Sequence, residues 1–266
     1  MRIGLICDIH EDFQFLKEAL RQLERRNCDD LICLGDIVGY DTSCHKPEPT
    51  RNSSACIAAI RSNCRYAVIG NHDLFALKKI PQSTHAFSFP PNWYQLSLPE
   101  RRTLSNNRVW LYETESTTTH LNRGERKYLE SLPEHLVLKF NNQPVHVSHS
   151  LHPDLTGSLM LRPHNPWELR GHLQILKNNE CSYGFSGHMH PNGILIGREN
   201  DIRKASFGKL KLEQSPAQYS CPGIANGRGR RGYTIVDCAE MTIETFKLGD
   251  HKISWKTWYD RILNKS

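Results

Sequence analysis

The chain has 266 residues, carries a net charge of +6 at neutral pH, and is 38% hydrophobic and 23% charged. That describes an ordinary folded globule, long enough for a sizeable core and at the upper end of one domain. No apolar run approaches the ~20 residues that span a bilayer, the opening apolar run is too short for a leader and ends in Asp8, and nine scattered cysteines without a Cys-x-x-Cys pair argue against a disulfide framework or thiolate zinc site, so the expectation is a cytoplasmic protein with no membrane partner.

Arg2–Cys7 reads as a buried strand ended by Asp8. Asp12 then caps a predicted helix in which Phe13, Leu16, Leu20 and Leu23 share one face. A second strand, Asp30–Leu34, runs into Gly35-Asp36. Residues 52–63 form a predicted helix with Ile57 and Ile60 inward, and a third strand, Tyr66–Ile69, runs into Gly70-Asn71. This βαβαβ opening implies a parallel sheet with crossover helices. Residues 75–143 are less regular, with loops expected at Pro90-Pro91 and in the Ser/Thr-rich stretch 114–119. A helix over Arg123–Leu132 is stopped by Pro133, Val145–Ser148 is a strand leading to His149, residues 167–178 are helical, and strand Tyr183–Ser186 leads to Gly187-His188. From there β-type runs dominate, at 193–197, 202–207, 233–237 and 242–247. The expected organisation is one domain over 1–266, with variable loop regions at 78–120 and 206–220.

The chemistry gathers in five clusters: Asp8-Ile9-His10, Gly35-Asp36, Gly70-Asn71-His72-Asp73, His149, and Gly187-His188-Met189-His190. Most directly follow a strand, and parallel sheets place ligand sites at strand carboxyl ends. Asp, Asn and His suit a pair of hard-to-borderline divalent cations, and two-metal sites are used above all on phosphate esters. His146 and His149 compete for the fourth cluster. They point to opposite faces of the strand; His149, at its carboxyl end, is taken as the ligand, and His146 as a core or interface residue.

The ordered series Asp8-x-His10, Gly35-Asp36-x-x-Gly39-Tyr40, Gly70–Asp73, His149 and Gly187-His188-x-His190 resembles the calcineurin-like metallophosphoesterases, most closely their small bacterial and archaeal phosphodiesterase branch. Leu129–Pro133, Cys221–Gly223 and Trp258–Asp260 also resemble that branch. The resemblance implies a four-layer αββα sandwich of two mixed sheets flanked by helices, with a dinuclear metal site at strand carboxyl ends. One metal would take Asp8, His10, Asp36 and His190; the other Asp36, Asn71, His149 and His188, with Asp36 shared. The implied metals are Mn²⁺ first, with Fe²⁺, Zn²⁺, Co²⁺ or Ni²⁺ compatible with the same donors. The implied reaction is hydrolysis of phosphate esters, as a phosphodiesterase or phosphatase, by a hydroxide between the two metals. His72 would contact phosphate and protonate the leaving oxygen, a role that suits an imidazole near neutral pH, with Asp41 or Asp73 as its orienting partner.

Arg228, in a Gly- and Arg-rich loop, and His152 are the substrate-contact candidates. Residues 201–266 hold 12 Lys or Arg against 7 Asp or Glu, and Trp255, Trp258 and Tyr259 interleave with Lys252, Lys256 and Arg261. That pattern keeps nucleic acid as an alternative partner, through nuclease or end-processing activity; a non-catalytic metal-stabilised binding module is the third reading. Gly39-Tyr40 stands where the Ser/Thr protein phosphatases carry a phosphate-clamping arginine, so that specialised activity is not implied. Ser150 stands where the family usually has glycine, and Asp41–His45 also departs from relatives.

Overall fold

Three parallel strands open the fold: β1 (Arg2–Ile6), β2 (Asp30–Cys33) and β3 (Tyr66–Ala67). The structure, a computed structural model, describes residues 1–40, 51–112, 120–213, 216–225 and 230–249. Parallel neighbours require crossovers, supplied by α1 (Phe13–Arg25) and α2 (Ser53–Asn63). Asp12 caps α1 by accepting from the Phe15 N–H at 3.2 Å, and Asn52 caps α2 through the Ala55 N–H at 2.8 Å. Leu16, Ala19 and Leu23 of α1 and Cys56, Ile57 and Ile60 of α2 are buried.

The chain continues through α3 (Asn71–Leu77), α4 (Leu98–Ser105), α5 (Arg123–Glu130), β4 (His135–Phe140), β5 (Gln143–Ser148) and α6 (Arg170–Asn178). Then come β6 (Tyr183–Ser186), β7 (Ile194–Arg198), β8 (Asp201–Ala205), β9 (Gly208–Lys211), β10 (Ala217–Ser220), β11 (Gly232–Asp237) and β12 (Thr242–Lys247). Two six-stranded mixed sheets result, ordered β3-β2-β1-β11-β12-β9 and β4-β5-β6-β10-β7-β8. Ile3, Leu5, Ile32 and Leu34 of the first pack with Val145, Val147, Phe185 and Tyr219 of the second, forming the core between the sheets. A second cluster packs α1, α2, α3 and α5 on the outer face of the first sheet; a third packs α6 beside the second sheet. The αββα layering is therefore as expected.

Several elements differ from the sequence reading. Within 206–220 the described residues hold two strands: β9 borders the first sheet, and β10 sits between β6 and β7 inside the second. Residues 78–120 hold α4, capped by reciprocal bonds between Ser97 and Glu100. The second sheet has an extra hairpin, β4-β5, turned by Asn141 and Asn142, both with positive φ (47° and 67°), the backbone that a tight hairpin needs. Among the described residues every cysteine is a free thiol, and no helix is long and apolar enough to cross a membrane. Asp41, the 114–119 stretch, Arg228 and the segment from Lys252 to Arg261 lie outside the described residues.

Candidate metal centre

Asp8 lies just past the carboxyl end of β1, Asp36 past β2, Asn71 past β3, His149 past β5, and His188 and His190 past β6. One edge of the sandwich thus collects side chains from both sheets. The backbone turns sharply to aim them: Asp8, His10, Asp36, His188 and His190 all adopt positive φ, between 45° and 65°. Each such non-glycine residue costs roughly 1–2 kcal/mol, and strain of this kind clusters at functional sites.

The loops are stitched together by their own polar groups. The Ile9 and His10 N–H groups donate to the Asp36 carbonyl at 2.7 and 3.1 Å, and the Gly187 N–H donates to the His149 carbonyl at 3.0 Å. The His188 N–H donates to the Asp8 carboxylate at 3.0–3.1 Å. The His72 N–H donates to Asp36 Oδ1 at 2.9 Å, which leaves Oδ2 for the site interior. The Asp73 carboxylate accepts from the Ile37, Val38 and Gly70 N–H groups at 2.9–3.1 Å. Asp73 therefore clamps the Asp36 loop to the start of α3; these bonds are to backbone, a different task from the orienting of His72 for which Asp73 and Asp41 were the two candidates.

The donor atoms then converge. His190 Nε2 lies 3.1 Å from Asp8 Oδ1, and His10 Nε2 lies 4.0 Å from the same atom. Asp36 Oδ2 stands 3.7 Å from His10 Nε2 and 3.1 Å from His149 Nε2. Among the described residues, three groups have their donors within 4.8 Å of one another: Asp8, His10 and His190; His10, Asp36 and His72; Asp36, His149 and His188. Asp36 and His10 are each shared by two of them. The imidazoles are set with lone pairs inward, because His10 Nδ1 bonds to the Gly39 carbonyl (2.9 Å) and His149 Nδ1 to the Leu34 carbonyl (2.7 Å). A second ring nitrogen anchored to a carbonyl is how ligand histidines are oriented.

Two observations test whether this set fits a cation. His149 Nε2 and Asn71 Oδ1 are buried with no hydrogen-bond partner. The nearest acceptor to His149 Nε2 is Asp36 Oδ2, at 3.1 Å. The Asn71 amide is held by its other end, Nδ2 donating to the Tyr112 hydroxyl at 2.5 Å. Buried lone pairs without donors are costly in a protein alone, and a divalent cation satisfies them. Two buried carboxylates and several imidazoles form the mixed oxygen and nitrogen set of a borderline divalent metal. The electrostatics agree in sign. Burial raises both Asp8 and Asp36, but the facing imidazoles, His190 first for Asp8 and His149 first for Asp36, outweigh it and hold both below the usual carboxylate range. Burial opposes a charged His149, yet Asp36 and then Asp8 override it and push that imidazole up to about 10. The cluster thus calls for positive charge at its centre.

His72 sits on the more open side of this group, edge-on to His10 with ring centroids 4.6 Å apart, and 5.0 Å from the Tyr112 ring. His152 is not among the converging donors. Its N–H donates to His172 Nδ1 at 3.2 Å and its ring stacks on His85. His146 faces away from the centre, buried between His135 and His172, as a core residue should. Two residues at the site had no place in the sequence reading. Tyr112 anchors Asn71; a lone tyrosine before an irregular stretch gives no signal. Gly157 lies against His188 and Asn71, where a Cβ would come within 2.6 Å of His188 Nδ1 and 3.0 Å of Asn71 Oδ1. Its signal was the turn-forming run Asp154–Gly157, which reads only as a loop.

The calcineurin-like phosphoesterase family matches residues 1–192. An uncharacterized protein of Methanocaldococcus jannaschii is 37% identical over 256 residues, spanning 92% of this chain and 86% of that protein. Among solved structures, a metallophosphoesterase from Sphaerobacter thermophilus superposes with a TM-score of 0.61 at 22% identity, covering 99% of this chain and 95% of that one. A hypothetical protein from Pyrococcus horikoshii OT3 gives 0.59 at 16%, covering 99% and 93%. These two share the fold. With five ligand-type clusters gathered at one edge and the family matched over most of its length, the chain is a calcineurin-like metallophosphoesterase.

Proposed function

We propose that the protein hydrolyses phosphate esters, as a phosphodiesterase or phosphatase, with two divalent cations. Asp8, His10, Asp36 and His190 would hold one; Asp36, Asn71, His149 and His188 the other; Mn²⁺ is the metal we favour. When bound, such cations neutralise phosphoryl oxygens and lower the pKa of water from ~15.7 toward ~7. The observation that carries the reading is the sharing of Asp36: Oδ1 is tied down by the His72 N–H, while Oδ2 stands between the His10 and His149 sides of the cluster.

This chain's own residues supply the rest. His72, on the open side, reaches a phosphoryl oxygen and gives its proton to the departing alkoxide, which general acid catalysis makes worth roughly 10²–10⁴ in rate. Tyr112 fixes the Asn71 amide, and Asp73 fixes the loop that carries Asp36. Because every position of the proposed donor set holds a ligand-type residue, a purely structural metal module is the weaker reading.

The test is Asp36→Asn. Full-length protein reconstituted with Mn²⁺ should hydrolyse bis(p-nitrophenyl) phosphate; the variant should not, and its metal content by mass spectrometry should fall. Full activity in the variant would remove the shared carboxylate, and no hydrolysis of any ester by the metal-loaded native protein would remove the reading itself.

A further inference from the structure

Beside the metal centre lies a pocket of about 280 Å³ that the reaction described above does not use. Its walls include Ser150, His152, Leu161, Trp167, Leu169 and Met189. Ser150 directly follows His149, and Met189 sits between His188 and His190. Two of its lining residues are thus chain neighbours of three of the seven proposed donors, which sets the pocket beside the centre. Its volume falls just under the ~300 Å³ floor of ordinary ligand pockets, which suits one ring system rather than a long chain or a second macromolecule.

The lining indicates what kind of ring. Trp167 is 61% exposed and Leu161 41% exposed. Large apolar side chains left in water around a concavity mark a binding surface more often than chance does. An exposed indole is a stacking platform for any flat π-face. The pocket is not a second phosphate site. It carries the Glu168 carboxylate as well as Arg162, and an anion there would face repulsion. Nor is it a plain hydrocarbon slot. Glu168 Oε2 accepts both the His164 and Asn165 N–H groups, at 2.7 and 2.8 Å, so Oε1 remains as an acceptor. The Ser150 hydroxyl and the His152 ring add groups that donate or accept at the same wall. Flat stacking combined with a polar edge is the chemistry of a nucleobase.

We infer that this pocket binds the base of a nucleoside phosphate, stacked on Trp167 with its polar edge toward Ser150, His152 and Glu168, so that the esters cleaved next door are nucleotides. The inference rests on the phosphoesterase reading and specifies its substrate class.

The test titrates Mn²⁺-loaded, full-length protein with adenosine, guanosine, cytidine and uridine, with ribose as control, by calorimetry and tryptophan fluorescence. At least one nucleoside should bind and ribose should not. Trp167→Ala should weaken that binding at least about fivefold, the lower end expected for one base–aromatic stack, while Trp167→Phe should keep most of it. In hydrolysis of a nucleoside p-nitrophenyl phosphate, Trp167→Ala should raise KM far more than it lowers kcat. No nucleoside binding, or binding indifferent to Trp167→Ala, with bis(p-nitrophenyl) phosphate still cleaved, would overturn the subsite and leave the phosphoesterase reading standing. Absence of hydrolysis of every ester would instead overturn the reading beneath it, and the substrate assignment with it.

Discussion

Replacing Gly157 with alanine tests the geometry of the centre without substituting any proposed ligand. Gly157 has φ of +84°, and an added Cβ would lie 2.6 Å from His188 Nδ1, 2.8 Å from His188 Cε1 and 3.0 Å from Asn71 Oδ1. Two costs follow. Alanine in the left-handed region costs roughly 1–2 kcal/mol, offset in part by about 0.4–1 kcal/mol from a less flexible unfolded chain. The contact costs more, because at 2.6 Å either the imidazole or the loop must move. His188 and Asn71 are both proposed ligands of the same cation, so displacement should fall on that cation alone. Disturbing a residue that supports metal ligands typically lowers affinity about 10–100-fold. Calorimetric titration with Mn²⁺ should therefore resolve one site near native strength and one weakened by that factor. Gly124→Ala is the control: in α5, a Cβ there would meet only Asn122 Oδ1, at 3.3 Å. It should bind metal normally and gain about 0.5–1 kcal/mol of helix stability. If Gly157→Ala bound two Mn²⁺ ions as the native protein does, His188 and Asn71 could not both be ligands where they stand.

Tyr112→Phe removes the oxygen that accepts from Asn71 Nδ2; metal affinity should drop about 10–100-fold, and an unchanged titration would show that the phenol does not orient the amide. His72→Ala should keep its metals but turn over slowly, most of all on esters with poor leaving groups; a loss uniform across leaving groups in a p-nitrophenyl-to-alkyl series would refute the acid role. His146→Leu concerns stability. Both His146 ring nitrogens are buried without partners, and burial, with His172 and His135 nearby, pushes its pKa down to about 3. The unfolded chain binds that proton below pH ~6.5 while the folded one refuses it. Stability is thus lost as pH falls from ~6.5, by about 1.4 kcal/mol per unit, or about 2 kcal/mol by pH 5. Urea unfolding of His146→Leu at pH 5 and 7.5 should lack that part of the acid limb, and a difference equal to the native protein's would refute the linkage.

The residues that converge at the sheet edge were legible because the chemistry restricts residue type and the sheet restricts place: Asp, Asn and His directly after buried strands have few other reasons to recur in order. The elements that escaped had their reasons for burial elsewhere in the chain. Strand β10 reads Ala-Gln-Tyr-Ser, an alternation only four residues long with a single large apolar side chain, yet all four residues are buried. Gln218 can be buried because His172 Nε2 lies 2.8 Å from its Oε1, and because its Nε2 donates to Ser186 Oγ at 3.0 Å. Ser220 can be buried because Ser186 Oγ is 3.0 Å away. A strand whose polar half is buried by partners 32 to 46 residues distant offers too short an alternation to stand out locally. Asp73 was one of two residues considered as the orienting partner of His72. Adjacency suggested His72, whereas helix geometry at the start of α3 turns its carboxylate back onto the Gly70 N–H and across to Ile37 and Val38. Sequence order conveys which residue types are present; which backbone amide a carboxylate meets depends on loop directions set by the left-handed turns at Asp8, Asp36 and His188. Aspartate and histidine are among the non-glycine residues enriched in that backbone region, but their presence alone does not mark which of them turn there.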